Sequence, residues 1–269
     1  ASEHMRERSP RVTLGNSWLQ GSVLDLFQAA IMRFSVLLTT DAKADALKKV
    51  EQGIVPSLDA LNVHNSTVYR WNRPCFGMSQ DKKPHLRIEN RLLPSGPSVV
   101  DEVANAAFWI GLMNGFEDQY KDVTKVMDFD DAKSNFLRAA RNGLGVDFTW
   151  MNGKKISDIE LIKKELLPMA KHGLNKAGVN KDDISKYLDI IEERNETRQT
   201  GTNWLLNSYS KLIKDYGKEE VTTALTLGTI NKQKHNVPVS QWDLATVDEI
   251  QNWEPSEMLV EEFMTTDVI

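Results

Sequence analysis

The sequence predicts an α+β protein, mainly helical and carrying a few antiparallel strands. Two observations predict it: apolar residues recur at steps of three and four over most of the chain, and helix-capping signals open several of those segments. A third is an alternating apolar and charged run near 85–92, with a possible partner strand near 66–72 across a polar turn.

The elements follow in order. Ser22 and Asp25 make a capping-box-like start, and Leu24, Phe27, Ile31, Phe34 and Leu38 form an apolar stripe behind it. A shorter helix is expected from about Asp41 to Glu51, ended by Gly53 and Pro56. The hairpin turns at Ser79-Gln80-Asp81-Lys82-Lys83. Leu93-Pro94-Ser95-Gly96-Pro97 is a second turn, and Pro97 suits the first position of a helix. From Val99 to Met113 that helix is apolar nearly all round, which predicts burial, with Asp101 and Glu102 near the positive end of its dipole. Asp130–Arg141 reads as a charged amphipathic helix. Asn152-Gly153 is a turn between short strands at Val146–Met151 and Lys154–Ile156. Ser157 and Glu160 cap a helix running to about Lys171. Asn180 caps another, with Ile184, Tyr187, Leu188 and Ile191 on its apolar face. Thr202–Tyr216 and Lys218–Asn231 complete the helices, broken at Gly217.

Composition narrows the function classes. At 269 residues and 41% hydrophobic, the chain can bury one large core or two modest ones. Its net charge of -5 is the balance of 33 basic and 38 acidic residues mixed along the chain, which argues against a nucleic-acid partner. Cys75 is the only cysteine, so no internal disulfide forms, and a reducing, cytoplasmic setting is expected. No apolar run reaches the length of a membrane span, so no membrane partner is expected.

The alternating strand carries the strongest chemical pattern. Side chains on a strand point to opposite faces in turn, so Leu86, Ile88, Asn90 and Leu92 share one face and Arg87, Glu89 and Arg91 the other. The apolar face can be buried. The cation–anion–cation row can hold a phosphate between two guanidinium forks, with the carboxylate placed for magnesium; it can equally be the wet face of an antiparallel sheet. Arg70 and Arg73 flank Trp71-Asn72 and can reach a substrate carboxylate, or can snorkel beside a packed aromatic face. His85 can contact phosphate or serve as a structural hydrogen bonder. Cys75 reads as a small buried residue rather than a nucleophile. Arg6, Arg8 and Arg11 form a basic cluster, most simply a solvated one. Thr200 reads as a helix cap next to Arg198, and Asp128, Asp130 and Asp131 as charges at a helix start rather than a metal cluster.

The stretches TVYRWNRPCFG (67–77) and PHLRIENRLLPSGPSVVDEVANAAFWIGL (84–112) resemble the carboxylate–amine ligase branch of the glutamate–cysteine ligase family. A weaker resemblance extends from about Arg6 to about Trp242 and takes in RERSPRVTLGNSWLQGSVLDLF (6–27) and RQTGTNWLLNSYSKL (198–212). It implies an ATP- and magnesium-dependent ligase that joins the γ-carboxylate of glutamate to an amine, commonly that of cysteine, through an acyl phosphate. It implies Glu89 as a magnesium ligand and Arg91 as a contact to the ATP phosphates; Arg87 shares their face, and in such a ligase Arg70 and Arg73 can reach a substrate carboxylate or the nucleotide. It also implies that residues 1–250 are the C-terminal portion of a ligase domain of glutamine-synthetase-like or glutamate–cysteine-ligase-like fold. MLVEEFMTTDVI (258–269) resembles the opening of a CBS domain, so residues 251–269 are expected to lead into that nucleotide-binding module of the same parent chain. Chains of both kinds commonly form homo-oligomers. The competing expectation is a non-catalytic nucleotide-sensing or interaction module built on a ligase-like half.

Overall fold

The computed structural model describes residues 11–39 and 46–251. Arg6, Arg8, the first residues of the helix expected at 41–51 and the CBS-like segment 258–269 lie outside the described residues. The chain is mainly helical with short strands, and it divides into two compact units: residues 1–94 with 124–137, and residues 95–123 with 138–269.

The first unit contains β1 (Val12–Thr13), α1 (Val23–Arg33), α2 (Ala46–Glu51), α3 (Asp59–Ser66), β2 (Tyr69–Arg70), β3 (Asn72–Met78) and β4 (Pro84–Asn90). The capping box of Ser22 and Asp25 opens α1 as expected. The apolar stripe behind it does not stay buried: Phe27, Ala30 and Phe34 face inward, whereas Leu24, Ile31 and Leu38 are exposed. For Leu38 the reason is local, because α1 ends at Arg33 and Phe34 is already extended, so the helical spacing stops before it. Helix α3 was not foreseen, since its apolar residues are few. Two of its polar side chains hold it in place: buried His64 meets the Phe34 carbonyl at 3.0 Å, and Asn65 donates to the Pro74 carbonyl at 2.9 Å.

One strand pair departs from the antiparallel expectation: β1 and β2 pair in parallel, Val12 with Tyr69 and Thr13 with Arg70. A hairpin forms with the expected turn and second strand, but its first strand is β3 rather than the expected 66–72, whose Tyr69 and Arg70 pair with β1 instead; Arg73 lies opposite Glu89 and Cys75 opposite Arg87. Its turn closes at Ser79–Lys83, where Lys82 takes the left-handed conformation. The hairpin is turned over relative to the sequence reading. Leu86 and Ile88, expected to be buried, are 60% and 61% exposed, while Cys75 on the charged face is buried. Directly opposed residues share a face, so Arg73, Cys75, Arg87 and Glu89 stand together. The Arg73, Cys75 and Glu89 end of that face is turned inward, because α3 supplies polar partners there and Arg73 neutralises Glu89, while Arg87 stays exposed.

Helix α5 (Phe129–Asn142) matches the charged helix expected there. The second unit is built on α4 (Val99–Gln119), with β5 (Asp147–Thr149), β6 (Lys155–Ser157), α6 (Asp158–Leu161), α7 (Leu167–Lys176), α8 (Lys181–Thr197), α9 (Gly201–Leu212), α10 (Lys218–Lys234) and α11 (Asp248–Gln251). The Asn152-Gly153 turn joins β5 to β6 with both residues at positive φ. Caps form at Ser157, Asn180 and Thr200 as the sequence indicates. A π-helical turn, Ile162–Leu166, joins α6 to α7, which runs on to Lys176, beyond the expected end near Lys171.

Helix α4 is only half buried, which corrects the all-round burial read from its composition. Its small residues face α7: a Cβ at Gly173 would lie 1.9 Å from the Gly111 carbonyl, and one at Gly115 would lie 2.3 Å from that of Met169. The two backbones touch, which leaves the bulky Val99, Val103, Ile110 and Met113 exposed on the far side. Val100, Ala104, Ala170, Leu174, Ile184, Leu188 and Ile191 fill the core between α4, α7 and α8. A second core gathers Trp204, Val221, Ala224, Val239, Trp242 and Ala245. There the two tryptophans meet edge to face with ring centroids 5.1 Å apart, each indole N–H donating to a carbonyl.

Asp101 ties these parts together. It is fully buried, and its carboxylate accepts from Arg194 Nη2 at 2.6 Å, Ser98 Oγ at 2.7 Å and the Val239 N–H at 3.0 Å. Arg194 in turn donates to Asn105 at 2.7 Å. Asp101→Ala should cost about 3–5 kcal/mol in urea unfolding, because it strands a buried guanidinium; a loss below about 1 kcal/mol would show that the pair is dispensable. Gly173→Ala should cost about 1–3 kcal/mol by separating α4 from α7, and an unchanged unfolding midpoint would refute the close helix contact.

Candidate functional site

The register of β3 against β4 sets the geometry of the charged face. Arg73 lies directly across from Glu89 and donates from Nε to Oε2 at 2.8 Å, with Nη2 closing on the same oxygen. The third arm of that guanidinium donates from Nη1 to the Asn65 carbonyl at 3.0 Å, which fixes Arg73 to α3. Cys75, one pair further along, points its thiol at Glu89 Oε2 from 3.5 Å.

Arg91 continues the hairpin by one residue, its N–H donating to the Trp71 carbonyl at 2.9 Å. Its Nε lies 3.9 Å from Glu89 Oε1, and its guanidinium stacks 3.7 Å from the centre of the Tyr69 ring. Arg91 Nη1 is buried without a hydrogen-bond partner, and so is Asn90 Nδ2 beside it. The hydrogen bond from Arg73 holds the Glu89 carboxyl below its ordinary pKa against the opposing effect of burial, with smaller support from the Arg73 charge, the Cys75 thiol and Arg91.

The sequence pointed to a row of Arg87, Glu89 and Arg91; the structure assembles Arg73, Glu89 and Arg91. Arg87 is exposed, and its Nη1 meets His85 Nε2 at 3.1 Å. No contact joins it to Glu89 among the described residues. Arg70 is half-buried on the other side of the chain from Tyr69, and burial and the nearby charge of Arg33 lower its pKa. Trp71 packs on Phe136, with ring centroids 5.4 Å apart, in keeping with the packed-aromatic reading. Cys75 is buried as expected, although its neighbour is a carboxylate rather than an apolar side chain. Thr200 caps α9 and Asp128 accepts from the Asp130 N–H, so both serve helix starts as expected.

The arrangement fits an anion better than a metal. A phosphate oxygen would supply the partner that Arg91 Nη1 lacks. Magnesium fits poorly: Glu89 is already compensated by two guanidinium groups, and no cluster of three metal-ligating side chains occurs among the described residues.

The second unit holds a cavity of about 340 Å³ that sequence reasoning missed, lined by Gly115, Asp118, Glu165, Met169 and His172 among others. Asp118 accepts from Lys176 at 2.8 Å and meets His172 at 2.9 Å, and these two contacts, Lys176 foremost, hold its carboxyl below the ordinary range. Glu165 is likewise occupied, accepting from Trp150 and Lys154. The carboxylates lining this cavity are thus already engaged. The signal for it, Asp118 and His172 facing each other from different helices, is visible only after folding.

No protein-family model, no curated protein and no solved structure matches the chain. The ligase resemblance therefore rests on the residues of the sequence alone. No helix among the described residues is long and apolar enough to cross a membrane.

Because the folded pKa of Glu89 lies below its ordinary 4.5, its pairing stabilises the protein above that pH and is lost as pH falls through the folded value. Glu89→Gln should therefore unfold more readily than wild type near neutrality and converge with it in acid. A gap in urea midpoint that persists undiminished to about pH 3 would contradict the pairing.

Proposed function

We propose that the chain belongs to an ATP-dependent carboxylate–amine ligase, in which the face of Arg73, Glu89 and Arg91 meets the phosphates of the nucleotide. The observation that supports this reading is the buried, unpartnered Nη1 of Arg91. Leaving such a donor unmet costs about 1–3 kcal/mol, which an incoming phosphate oxygen would recover. Stacked on Tyr69 and flanked by Glu89, the guanidinium loses little freedom when the anion arrives. Arg73 is committed to Glu89 and acts as a positioning residue rather than as a substrate contact.

In the reaction, a glutamate γ-carboxylate oxygen, or that of a similar carboxylate, forms a bond to the γ-phosphorus as the bond to the ADP oxygen breaks. The amine, that of cysteine or a similar acceptor, then attacks the acyl carbon and expels phosphate. Arg91 would offset charge on the transferring phosphoryl group. Magnesium goes with ATP in such ligases, and Glu89, held between two guanidinium groups, would be poorly placed to ligate it. The reading carries with it a glutamine-synthetase-like or glutamate–cysteine-ligase-like fold, a CBS domain in the same parent chain and a homo-oligomeric assembly.

A second reading, a nucleotide-sensing module without chemistry, is favoured by one observation: Glu89 is neutralised by its arginines and is not free for a metal. Titration of the chain with ATP distinguishes a phosphate site from a purely structural cluster. Arg91→Lys should weaken ATP about tenfold, since a point charge does not reproduce the fork; equal affinity would remove Arg91 from the site. ADP release that requires both glutamate and an amine identifies the ligase, and ATP binding without such turnover identifies the sensor.

A further inference from the structure

We propose that the exposed face of α4 is the surface on which a second copy of this chain docks, with its own α4 running antiparallel to the first. The face is a regular seam. Val99, Val103, Ala106, Ile110 and Met113 follow one another at alternating steps of four and three, the spacing at which two helices pack side by side. All five are exposed, Val99 by 63%, Val103 by 39%, and Ile110 and Met113 by 48% each. The opposite face is spent on α7, through Gly111 and Gly115. An apolar row roughly 21 Å long is more than singly scattered surface residues account for.

The charges at the two ends of the row select the occupant. Glu117 continues the seam by one step of four, and Asp118 follows it. Neither charge suits the negative end of the helix dipole, and no basic residue lies in that last turn. Asp118 is answered by Lys176 and His172, whereas Glu117 is exposed and forms no ion pair among the described residues. At the other end, the C-terminus of α10 abuts the start of α4. Gln233 Nε2 donates to the Pro97 carbonyl at 2.9 Å, and the Val100 N–H donates to Asn236 Oδ1 at 2.9 Å. The same turn of α10 carries Lys232 and Lys234, which also lack an ion pair among the described residues. An antiparallel second copy sets Val103 against the partner's Met113 and Ile110 against the partner's Ala106. Val99 then meets the partner's Glu117, at the end where Lys232 and Lys234 stand, and two-fold symmetry repeats each contact. A parallel copy would oppose Glu117 to the partner's Glu117 and leave the lysines unanswered. A lipid surface is not matched, because Glu102 and Glu117 rather than lysines border the apolar row.

This interface gives the homo-oligomeric part of the ligase reading a surface, and its test reads association rather than turnover, so the two can fail separately. The test is sedimentation velocity of the full chain from about 1 to about 100 μM, since a dimer shows itself by its dependence on concentration. A monomer–dimer equilibrium is expected. Ile110→Glu should leave only monomer, with circular dichroism unchanged because Ile110 is exposed. Glu117→Lys should weaken the dimer about tenfold without destabilising the fold, because a cation suits that end of α4. Adding Lys232→Glu and Lys234→Glu to Glu117→Lys should restore association, which a structural role for any one of these side chains does not predict. A chain that stays monomeric throughout, or a dimer indifferent to Ile110→Glu, would overturn the proposal. A dimer lost in Ile110→Glu but untouched by the charge reversals would overturn the antiparallel second copy.

Discussion

Asp101 is a charge withdrawn completely from water, and the second unit is arranged around what that charge requires. A buried carboxylate carries a penalty of several kcal/mol unless it is paired and its lone pairs are filled. Arg194 supplies the counter-charge from α8, Ser98 a hydroxyl from the start of α4, and Val239 a backbone N–H from far along the chain. Each donor must arrive in place for the others to be tolerable. The pair therefore fixes how α4, α8 and the segment around Val239 meet, while the apolar cores on either side fill the space that this leaves.

The same demand shapes the hairpin in the first unit. Its charged face is turned inward because Arg73, Glu89 and Asn65 satisfy one another, whereas Leu86 and Ile88 remain in contact with solvent. Apolar exposure of this size is tolerable; an inward charge without a partner is not. Against that background Arg91 Nη1 and the neighbouring Asn90 Nδ2 are buried donors without partners beside the satisfied Arg73–Glu89 pair.

Local signals proved reliable wherever a single segment decides the outcome. The caps at Ser22, Ser157, Asn180 and Thr200, the Asn152-Gly153 turn and the turn at Ser79–Lys83 all stand where the sequence puts them. These features depend on residues within a few positions of each other. Burial was less legible. Apolar residues all round α4 suggested complete enclosure, but Gly111, Gly115 and Gly173 draw two backbones together on one side and leave Ile110 and Met113 outside. A stripe of large residues marks a face that can be buried, and small residues mark the face that can come closest.

By itself the sequence determined the α+β class, most helices, the hairpin turn with its second strand, and the alternation that sets Glu89 and Arg91 on one face. Only the tertiary structure decided that Arg73 rather than Arg87 completes that face, because this depends on the register between strands and on what α3 offers beneath them. It also decided that Asp101, in the first turn of α4 as expected, is a buried hub as well, since two of its partners lie 93 and 138 residues away in the chain. Periodicity reports which way a side chain points within its own element; what it meets there is set by segments that the local pattern cannot see.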